Sequence, residues 1–330
     1  MTSRVLVIGA GAWGTALATV FARAGTQTWL WDADSELAQT LGKERRHPRI
    51  CPDVALPPAL IPVSELGPEL DVDCVMFVVP FQVLRSALDT LKSSAVNFRG
   101  IACASKGFEL ETLAVAHEVV AEECGAAVPF AQVSGPNFAA EVLRDAPAAI
   151  SIGSADVAFG ERLLAAMHGP MFRPYLTDDV IGVEIGGALK NVIAIAAGIA
   201  DGLKLGSNTR AALITRGLAE MARFGVSRGG RMETFMGLSG MGDLVLTCTD
   251  DQSRNRRFGL ALAEHGDVQR AADEVGALVE GVATARALSR NRTNVDLPIA
   301  TEVAALIDGV RHPSNVVEAL LARDTRFERE

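Results

Sequence analysis

Residues 4–14 read Arg4-Val5-Leu6-Val7-Ile8-Gly9-Ala10-Gly11-Ala12-Trp13-Gly14. A continuous apolar segment followed at once by Gly-x-Gly-x-x-Gly predicts a buried strand, a tight turn and a helix that begins near Trp13. Gly9 permits the turn, Gly11 lets the backbone approach a pyrophosphate, and Gly14 lets the helix pack closely on the strand. The unpaired N–H groups at the start of that helix would face the phosphates.

A second apolar segment, Thr28-Trp29-Leu30-Trp31, ends on an acid, Asp32, which lies 18 positions after Gly14. This offset is close to the roughly 20 residues at which a carboxylate can accept hydrogen bonds from the ribose hydroxyls of a dinucleotide. Strand, glycines, helix and acid in this order predict a dinucleotide-binding site. The alternative is a glycine-rich strand-to-helix turn that binds no ligand.

Length, composition and charge exclude several classes of protein. A chain of 330 residues, of which 49% are hydrophobic and 22% charged, can bury a large core and form about two globular domains. The formal net charge of −9 argues against binding to nucleic acid or to an anionic membrane surface. A phosphorylated ligand would therefore need a local group of basic side chains.

Cysteine usage and the start of the chain predict a cytoplasmic protein. The five cysteines form no Cys-x-x-Cys pair, which favours reduced thiols over disulfides or a zinc site, and we expect no metal. Because the first predicted strand begins within a few residues of Met1, we expect no signal peptide. The apolar stretch Ile185–Ala200 is short for a membrane span and contains Lys190 and Asn191, so we expect a core helix and no membrane anchor.

The first half of the chain alternates strand-like and helix-like segments. Continuous apolar strands separated by amphipathic helices predict a mostly parallel sheet covered on both faces. From about Asp178 the pattern changes to long helical segments. The sequence therefore predicts an α/β Rossmann-type domain over residues 1–177 and an all-α domain over residues 178–330, in which Thr177 caps the first helix. The predicted strands are Val5–Ile8, Thr28–Trp31, Cys74–Val79, Ile101–Ala104, Phe130–Val133 and Ala149–Ile152, and two predicted helices are Gly14–Ala24 and Glu111–Glu123.

Polar residues that follow the predicted strands are candidates for a site, because ligands of such sheets bind beyond the carboxyl ends of the strands. Lys106 comes just after Ile101–Ala104 and would face this crevice, although a solvated loop lysine is an equal alternative. The segment Ser134–Ala139 forms another strand-to-helix turn, with Pro136 near the helix start. Its free N–H groups could bind an anion or a cofactor, and an ordinary helix start without a ligand is the alternative.

Lys190 is the most informative residue of the second half. If it lies on one long helix, its neighbours one turn away are small or apolar, at Gly186, Gly187, Ile193 and Ala194. We therefore expect a lysine without an acidic partner on that helix, beside glycines that leave space for a ligand. Burial would lower its pKa toward the range useful for proton transfer. The alternative is a lysine that extends to the surface.

Two later segments concentrate charge. In Gly240-Met241-Gly242-Asp243-Leu244 an acid lies between turn-forming glycines and an apolar segment. In Ser253-Arg254-Asn255-Arg256-Arg257 three guanidinium groups are close together, which suits a phosphate, with a solvated basic helix face as the alternative. Glu280 could be a helix-start acid. The histidines show neither triad nor metal-ligand spacing, and we assign them no chemistry.

At these residues the chain resembles the bacterial NAD(P)-dependent glycerol-3-phosphate dehydrogenase family. The resemblance extends from the glycine turn nearly to the C-terminus. The activity it implies is the reversible reduction of dihydroxyacetone phosphate to sn-glycerol 3-phosphate, the backbone precursor of glycerophospholipids. The blocks that carry it are Gly9–Ala18, Ser134–Ala139, Val183–Ala194, Gly240–Thr249 and Ser253–Gly259.

The resemblance also implies roles for individual residues and suggests a homodimer. Lys190 would be the proton donor and acceptor, and the Arg254 segment would hold the substrate phosphate. The residues that would line the substrate site are Lys106, Gly135, Asn137, Lys190, Asp243, Ser253, Arg254 and Asn255. The residues that would contact NAD(H) or NADP(H) are the turn and strand-end residues Gly9, Gly11, Gly14 and Asp32, together with Trp13, Lys106, Ala139, Arg254, Leu278 and Glu280.

The chain departs from the family pattern in three places. Ala12 replaces the usual serine near the pyrophosphate, and Asn137 replaces the usual serine or threonine of the substrate site. Where many members have a basic residue after the second strand, this chain has Asp32-Ala33-Asp34. A carboxylate there accepts from ribose hydroxyls and repels a 2′-phosphate, so we predict a preference for NADH over NADPH.

Two other functions remain as alternatives. A dehydrogenase of the β-hydroxyacid or ketopantoate reductase type would also have two domains and a catalytic lysine, but it would need fewer cations than residues 253–257 provide. A non-catalytic NAD(H)-binding sensor would keep the glycine turn and Asp32 but would need neither Lys190 nor Asp243. Loss of NADH absorbance on addition of dihydroxyacetone phosphate distinguishes an enzyme from a sensor.

Overall fold

Apolar, β-branched segments in the first half of the chain form the strands that the sequence predicts, with additional strands between them. The computed structural model describes residues 3–291 and 294–313. Its strands are β1 (Arg4–Ile8), β2 (Gln27–Trp31), β3 (Leu60–Val63), β4 (Asp71–Val72), β5 (Cys74–Phe77), β6 (Asn97–Phe98), β7 (Ile101–Cys103), β8 (Phe130–Ser134), β9 (Ala148–Gly153) and β10 (Phe172–Thr177).

Eight of these strands form one sheet in the order β10-β9-β8-β7-β5-β1-β2-β3, and β4 pairs with β6. All neighbours in the large sheet are parallel except β8 and β9, which are antiparallel. The chain leaves β1 toward β2 on one side and returns to β5 on the other side. The strand order therefore reverses beside β1, and ligands of such sheets bind at that point, beyond the carboxyl ends of the strands.

The sheet is buried on both faces, as the continuous apolar strands predicted. Along β1, Val5 and Val7 belong to one core cluster and Leu6 and Ile8 to another, because alternate side chains point to opposite faces. The first cluster includes residues of α1 (Ala12–Arg23), and the second includes residues of the helix that follows β5. A helix layer on each side is what a parallel sheet with buried faces requires.

Helices of the sheet-containing part connect the strands, and helices alone follow β10 in the described residues. The remaining helices of the first part are α2 (Ser35–Glu44), α3 (Leu84–Ser93), α4 (Ala116–Cys124), α5 (Ala139–Leu143) and α6 (Val157–Met167). The later helices are α7 (Val180–Gly202), α8 (Ser207–Ser227), α9 (Met232–Phe235), α10 (Asp243–Thr249), α11 (Arg254–His265), α12 (Val268–Val275), α13 (Glu280–Arg290) and α14 (Pro298–Ile307).

Helix α7 is the centre of the helical part. By length and composition it could cross a membrane, but 89% of its most apolar window is buried within the protein, so the expected core helix is observed. Two glycines allow α11 to cross it closely, since a Cβ at Gly198 would lie 2.1 Å from a backbone oxygen of Arg256 and one at Gly259 would lie 2.2 Å from that of Ile195. This close crossing fixes the start of α11 relative to α7.

The structure differs from the predicted elements in several places. Strands β3 and β10 were not predicted, because Pro62 and Pro174 interrupt their patterns, and both lie at edges of the sheet, where proline is tolerated. Helix α4 begins at Ala116, well after the predicted Glu111. The short strands β4 and β6 also lack a clear pattern.

The predicted cap of the long core helix was wrong. Asp179, and not Thr177, caps α7, because the Asp179 side chain accepts a hydrogen bond from the N–H of Gly182 at 2.8 Å. Thr177 instead accepts one from the N–H of Asp179 at 3.2 Å. Residues 314–330 of the predicted second domain lie outside the described residues.

Candidate active site

The glycine turn after β1 has the geometry that its sequence predicted. Gly9 has φ +106° and a Cβ there would lie 2.5 Å from the carbonyl oxygen of Val78. A Cβ at Gly14 would lie 1.8 Å from the carbonyl oxygen of Gly9, so α1 approaches the turn as closely as glycine allows. A Cβ at Gly11 would meet nothing within 4 Å. Gly9 and Gly14 therefore pack tightly against neighbouring backbone, whereas the space beside Gly11 is open to a ligand.

The start of α1 offers backbone donors on this open side. Its N-cap is Gly11, which supplies no side-chain hydrogen bond. N–H groups of the first helical turn have no partner within the helix and carry the positive end of its dipole. This arrangement suits the pyrophosphate of a dinucleotide.

Asp32 lies directly beside the same turn. Its Oδ2 accepts a hydrogen bond from the N–H of Ala10 at 2.6 Å, and its Oδ1 accepts one from the N–H of Asp34 at 3.0 Å. Asp34 in turn caps α2 by accepting from the N–H of Leu37 at 3.1 Å. Each carboxylate oxygen has a second lone pair, so Asp32 can still accept from a ribose hydroxyl.

Three charged residues meet where the carboxyl ends of the strands face α7. Asp243 is 1% exposed and accepts from Lys190 Nζ at 2.6 Å and from Lys106 Nζ at 2.7 Å, one lysine on each carboxylate oxygen. Lys106 comes from the loop after β7, Lys190 from α7 and Asp243 from the start of α10. We refer to Lys106, Lys190 and Asp243 as the lysine cluster. Its two ammonium groups and one carboxylate leave a net positive charge for an anionic ligand.

The surroundings tune the acidity of these groups. Burial lowers the pKa of Lys190 to about 8, although the charge of Asp243 works against this shift. Burial alone would raise the pKa of Asp243, but the charges of Lys106 and Lys190 overcome it and hold that pKa below its usual value. Asp243 therefore stays ionised, and Lys190 can gain or lose a proton near neutral pH.

The acidic partner of Lys190 lies outside the helix that the sequence argument considered. The lysine is 8% exposed, but it is ion-paired with Asp243, which comes from a different helix. The sequence argument considered only the neighbours of Lys190 on its own helix. Sequence reasoning also missed Thr247, whose hydroxyl accepts from Lys190 Nζ at 2.9 Å and donates to the backbone oxygen of Asp243 at 2.6 Å. Thr247 lies four residues after Asp243 on α10, and this spacing could have predicted that the two side chains share one face of the helix.

The glycines beside Lys190 bring backbones together instead of leaving space for a ligand. A Cβ at Gly186 would lie 2.6 Å from the backbone oxygen of Ser239, and one at Gly187 would lie 2.8 Å from Ser134 Oγ and 3.3 Å from the Lys106 side chain. These contacts bring the end of β8 and the Lys106 loop against α7. The two glycines therefore allow the segments that carry Lys106 and Asp243 to lie close to Lys190.

The turn after β8 presents buried polar atoms near the lysine cluster. Asn137 Nδ2 donates to the backbone oxygen of Ala149 at 2.8 Å, while Asn137 Oδ1 and Ser134 Oγ are buried and have no hydrogen-bond partner among the residues that the structure describes. A buried polar atom without a partner is costly, so these atoms point to a ligand or to water. Gly135 packs on β9, since a Cβ there would lie 3.0 Å from Ile150 Cα. Helix α5 begins at Ala139, later than Pro136 suggested.

The arginine-rich segment at the start of α11 does not act as one group. Arg256 is 9% exposed and pairs with Asp201 at 2.7 Å and with Asp251, so its charge is used within the protein. Arg254 is exposed, and its guanidinium has no hydrogen bond or ion pair within the described chain. Of these two arginines, Arg254 is the one available to an anion.

Ser253 and Asn255 have structural partners. Ser253 caps α11 by accepting from the N–H of Arg256 at 3.2 Å. The Asn255 amide donates to Asn191 Oδ1 at 2.8 Å and accepts from the N–H of Gly281 at 3.0 Å. Asn255 therefore links α7, α11 and the start of α13, where Glu280 lies.

The remaining cofactor candidates lie on different elements. Burial raises the pKa of Glu280, and the opposing positive charges come from Arg254 and from both lysines of the cluster. Leu278 is exposed, whereas Trp13 and Ala139 are partly buried and pack on the same core cluster. The charge of Glu280 is therefore influenced first by Arg254 and then by Lys106 and Lys190. In the described residues no group of three His, Cys, Asp or Glu side chains could hold a metal ion.

The fold and these sites define a class: two-part oxidoreductases with a dinucleotide-binding sheet, a helical domain and a buried lysine. The profile of the NAD-dependent glycerol-3-phosphate dehydrogenase N-terminus matches residues 4–160, and that of the C-terminus matches residues 179–318. The chain belongs to this family, and the resemblance inferred from its sequence is confirmed.

Individual relatives agree with the family assignment. The glycerol-3-phosphate dehydrogenase (NAD(P)+) of Thioalkalivibrio sulfidiphilus is 46% identical over 98% of this chain and 98% of its own length. That of Hydrogenovibrio crunogenus is 46% identical over 99% of this chain and 97% of its own. The crystal structure of glycerol-3-phosphate dehydrogenase from Coxiella burnetii has a TM-score of 0.92 at 41% identity and covers 98% of this chain and 99% of that one. The predicted α/β and all-α architecture is confirmed.

Proposed function

We propose that this protein catalyses the reversible NAD(P)H-dependent reduction of dihydroxyacetone phosphate to sn-glycerol 3-phosphate. The observation that carries the proposal is the buried lysine cluster, which places an ionisable lysine beside a fixed carboxylate at the carboxyl edge of a dinucleotide-binding sheet. The names of the relatives support the same activity. In this proposal the product supplies the backbone of glycerophospholipids.

The glycine turn and the start of α1 would hold the pyrophosphate of the cofactor. The open side of Gly11 and the unpaired N–H groups of the first helical turn fit that group. When bound, the reduced nicotinamide supplies the hydride for the substrate ketone. The protein's contribution is to align the ketone carbon and to manage the proton and the charge.

Lys190 would give its proton to the oxygen on C2 of the substrate as that oxygen becomes an alkoxide. Two of its three N–H donors are used by Asp243 and Thr247, which leaves one to point at a ligand. With its pKa lowered to about 8, Lys190 is protonated at neutral pH but can release its proton. In the reverse direction neutral Lys190 takes the proton back from the C2 hydroxyl.

The rest of the lysine cluster would orient this donor and bind the substrate. Asp243 holds Lys190 in place and keeps it charged, and Lys106 adds a second positive charge beside the substrate oxygens. The unpartnered Oδ1 of Asn137 and the backbone of Gly135 would complete the substrate side of the site.

Arg254 would hold the substrate phosphate through paired guanidinium hydrogen bonds. Its exposure and the absence of an ion partner within the described chain support this role. Ser253 and Asn255 would assist by fixing the first turn of α11, and free N–H groups of that turn would favour the same anion.

We also propose that the enzyme prefers NADH to NADPH. Asp32 lies beside the glycine turn and Asp34 follows two residues later, and an acid at the end of the second strand of such a fold would accept from ribose hydroxyls and repel a 2′-phosphate. Comparison of kcat/KM for the two cofactors tests this preference. Equal or better use of NADPH would refute it.

The activity itself is tested by mixing the purified protein with NADH and dihydroxyacetone phosphate and following the loss of NADH absorbance. A non-phosphorylated keto acid, 2-dehydropantoate, serves as the comparison substrate. We expect turnover with the phosphorylated ketone and little with the keto acid. Turnover of the keto acid alone would favour a ketopantoate reductase type, and NADH binding without turnover of either would favour a sensor.

Three further properties complete the proposal. The division at residues 177 and 178 is supported by the change from strands to helices between β10 and α7. A homodimer and a cytoplasmic location are proposed from the family resemblance. Light scattering tests the dimer, since the chain mass of 34.8 kDa should appear doubled.

A further inference from the structure

A histidine outside the site described so far contacts the glycine turn. His47 lies between α2 and β3 and is 2% exposed. Its Nε2 is 3.1 Å from the carbonyl oxygen of Ala10, and its Nδ1 is 3.2 Å from the backbone N of Arg49 and 3.1 Å from that of Ile50. A backbone N–H can only donate, so Nδ1 accepts and the neutral ring has its proton on Nε2. His47 therefore donates a hydrogen bond to Ala10.

Ala10, the residue between the first two glycines of the turn, is held by three side chains. Its carbonyl oxygen accepts from His47 and from Thr15 Oγ1, the latter at 3.1 Å. Its N–H donates to Asp32 Oδ2 at 2.6 Å. The three side chains come from α1, from the end of β2 and from the connection that contains His47. Both peptide groups of Ala10 are thus fixed from outside the turn.

The carbonyl that His47 holds belongs to the same peptide group as the N–H of Gly11. In a trans peptide the C=O and the following N–H point in opposite directions, and no cis peptide is present among the described residues. Because the Ala10 oxygen is turned toward His47, the Gly11 N–H points away from His47, and a Cβ on the same residue would meet nothing within 4 Å. In the described part of the chain this N–H donates to no protein acceptor.

We propose that His47 is a positioning residue for the dinucleotide, whose Nε2–H holds the Ala10–Gly11 peptide so that the Gly11 N–H faces the pyrophosphate. The inference rests on the proposed function, since it assigns a role within the same cofactor site. Burial lowers the pKa of His47, with smaller effects from the Ala10 carbonyl, Arg49 and Asp32, so the neutral ring is the form present at neutral pH.

Two substitutions separate this role from a purely local one. His47→Asn retains an acceptor near the position of Nδ1 and loses the donor to Ala10. His47→Gln can place an amide donor near the position of Nε2 and loses the acceptor for Arg49 and Ile50. Arg49 is exposed and Ile50 is partly exposed, so water can replace that acceptor.

The measurements are the NADH dissociation constant by fluorescence titration and kcat at saturating NADH. We expect His47→Asn to raise the dissociation constant about three- to tenfold, the effect of one lost hydrogen bond, with kcat unchanged. His47→Gln should stay within about twofold of the wild-type affinity. His47→Phe, which keeps a ring but makes neither bond, should resemble His47→Asn, and the thermal midpoint of each variant verifies folding.

Wild-type NADH affinity in His47→Asn overturns the inference, and so does an equal loss of affinity in His47→Asn and His47→Gln. A loss of NADH affinity confined to His47→Gln would also overturn it, because His47 would then act by holding the backbone of Arg49 and Ile50 and not by positioning the cofactor site. Failure of the wild-type protein to bind NADH would contradict the proposed function itself, so the two failures are distinguishable.

Discussion

The glycine turn and the lysine cluster are stabilised by different interactions. The turn depends on close backbone approach, with Gly14 against Gly9, and on hydrogen bonds between the backbone of Ala10 and side chains around it. The lysine cluster depends on attraction between buried charges from three separate elements. A change in the turn should therefore alter cofactor affinity, and a change in the cluster should alter proton transfer. The experiments below test whether these effects separate.

The largest effect is expected from Lys190→Ala. Loss of a general acid typically costs about 10²- to 10⁴-fold in rate, so kcat should fall at least about a hundredfold while the NADH dissociation constant stays unchanged. Steady-state kinetics and a fluorescence titration measure the two quantities. Lys92→Ala, at an exposed lysine, is the control and should keep full activity. A Lys190→Ala enzyme that retains most of its turnover would remove Lys190 from the mechanism.

The next effect in size is expected from Arg254→Ala. Hydrogen bonds to a charged group contribute about 1.5–3 kcal/mol, so KM for dihydroxyacetone phosphate should rise about 10- to 150-fold. KM for NADH should change much less, which distinguishes the loss of a substrate-phosphate contact from a change in the glycine turn. Arg270→Ala removes an exposed arginine of α12 and serves as the control. An unchanged KM for the substrate would place the phosphate elsewhere.

A smaller effect on the turn is expected from Gly14→Ala. The new Cβ would lie 1.8 Å from the carbonyl oxygen of Gly9, so the turn or α1 must shift. We expect NADH affinity to fall at least about tenfold, together with a lower thermal midpoint. The matched control is Gly42→Ala in α2, where a Cβ meets nothing within 4 Å and should stabilise the helix by about 0.5–1 kcal/mol. Equal behaviour of the two variants would contradict the close packing at Gly14.

The same contrast explains how much could be predicted from the sequence. The turn was predicted at Gly9, Gly11 and Gly14 because each role depends on residues within a few positions. The partner of Lys190 was missed because Asp243 is 53 residues away, and helical periodicity describes only one helix. Gly186 and Gly187 indicated open space beside Lys190. The sequence could not show that other segments of the chain pack against these two glycines.

Residue type also failed to show which polar groups are free. The segment that begins at Ser253 predicted a basic cluster, yet Arg256 is neutralised by Asp201, and the Asn255 amide joins Asn191 to α13. Such partners are set by tertiary packing and cannot be predicted from the neighbouring residues in the sequence. The fold class was confirmed because alternation of strands and helices is a local property. The edge strand β10 was missed because it contains a proline.

The variant Asp243→Asn tests how the Asp243 carboxylate affects the pKa of Lys190. Burial lowers the pKa of Lys190 and Asp243 opposes that shift, so removing the carboxylate charge should lower this pKa below about 8. In the proposed mechanism reduction requires protonated Lys190, so kcat should begin to fall at a lower pH than in the wild-type enzyme. The pH profile of kcat for the variant measures the shift, and an unmoved profile would contradict the role of Asp243.

The pH dependence of kcat for the wild-type enzyme in the direction of ketone reduction, at saturating NADH and dihydroxyacetone phosphate, tests the central claim most directly. Below its pKa Lys190 is protonated and can donate, and above it the donor is lost. The rate should be constant at low pH and should fall as the pH rises through about 8. A rate that stays constant between about pH 6 and pH 10 would contradict the assignment of Lys190 as the proton donor.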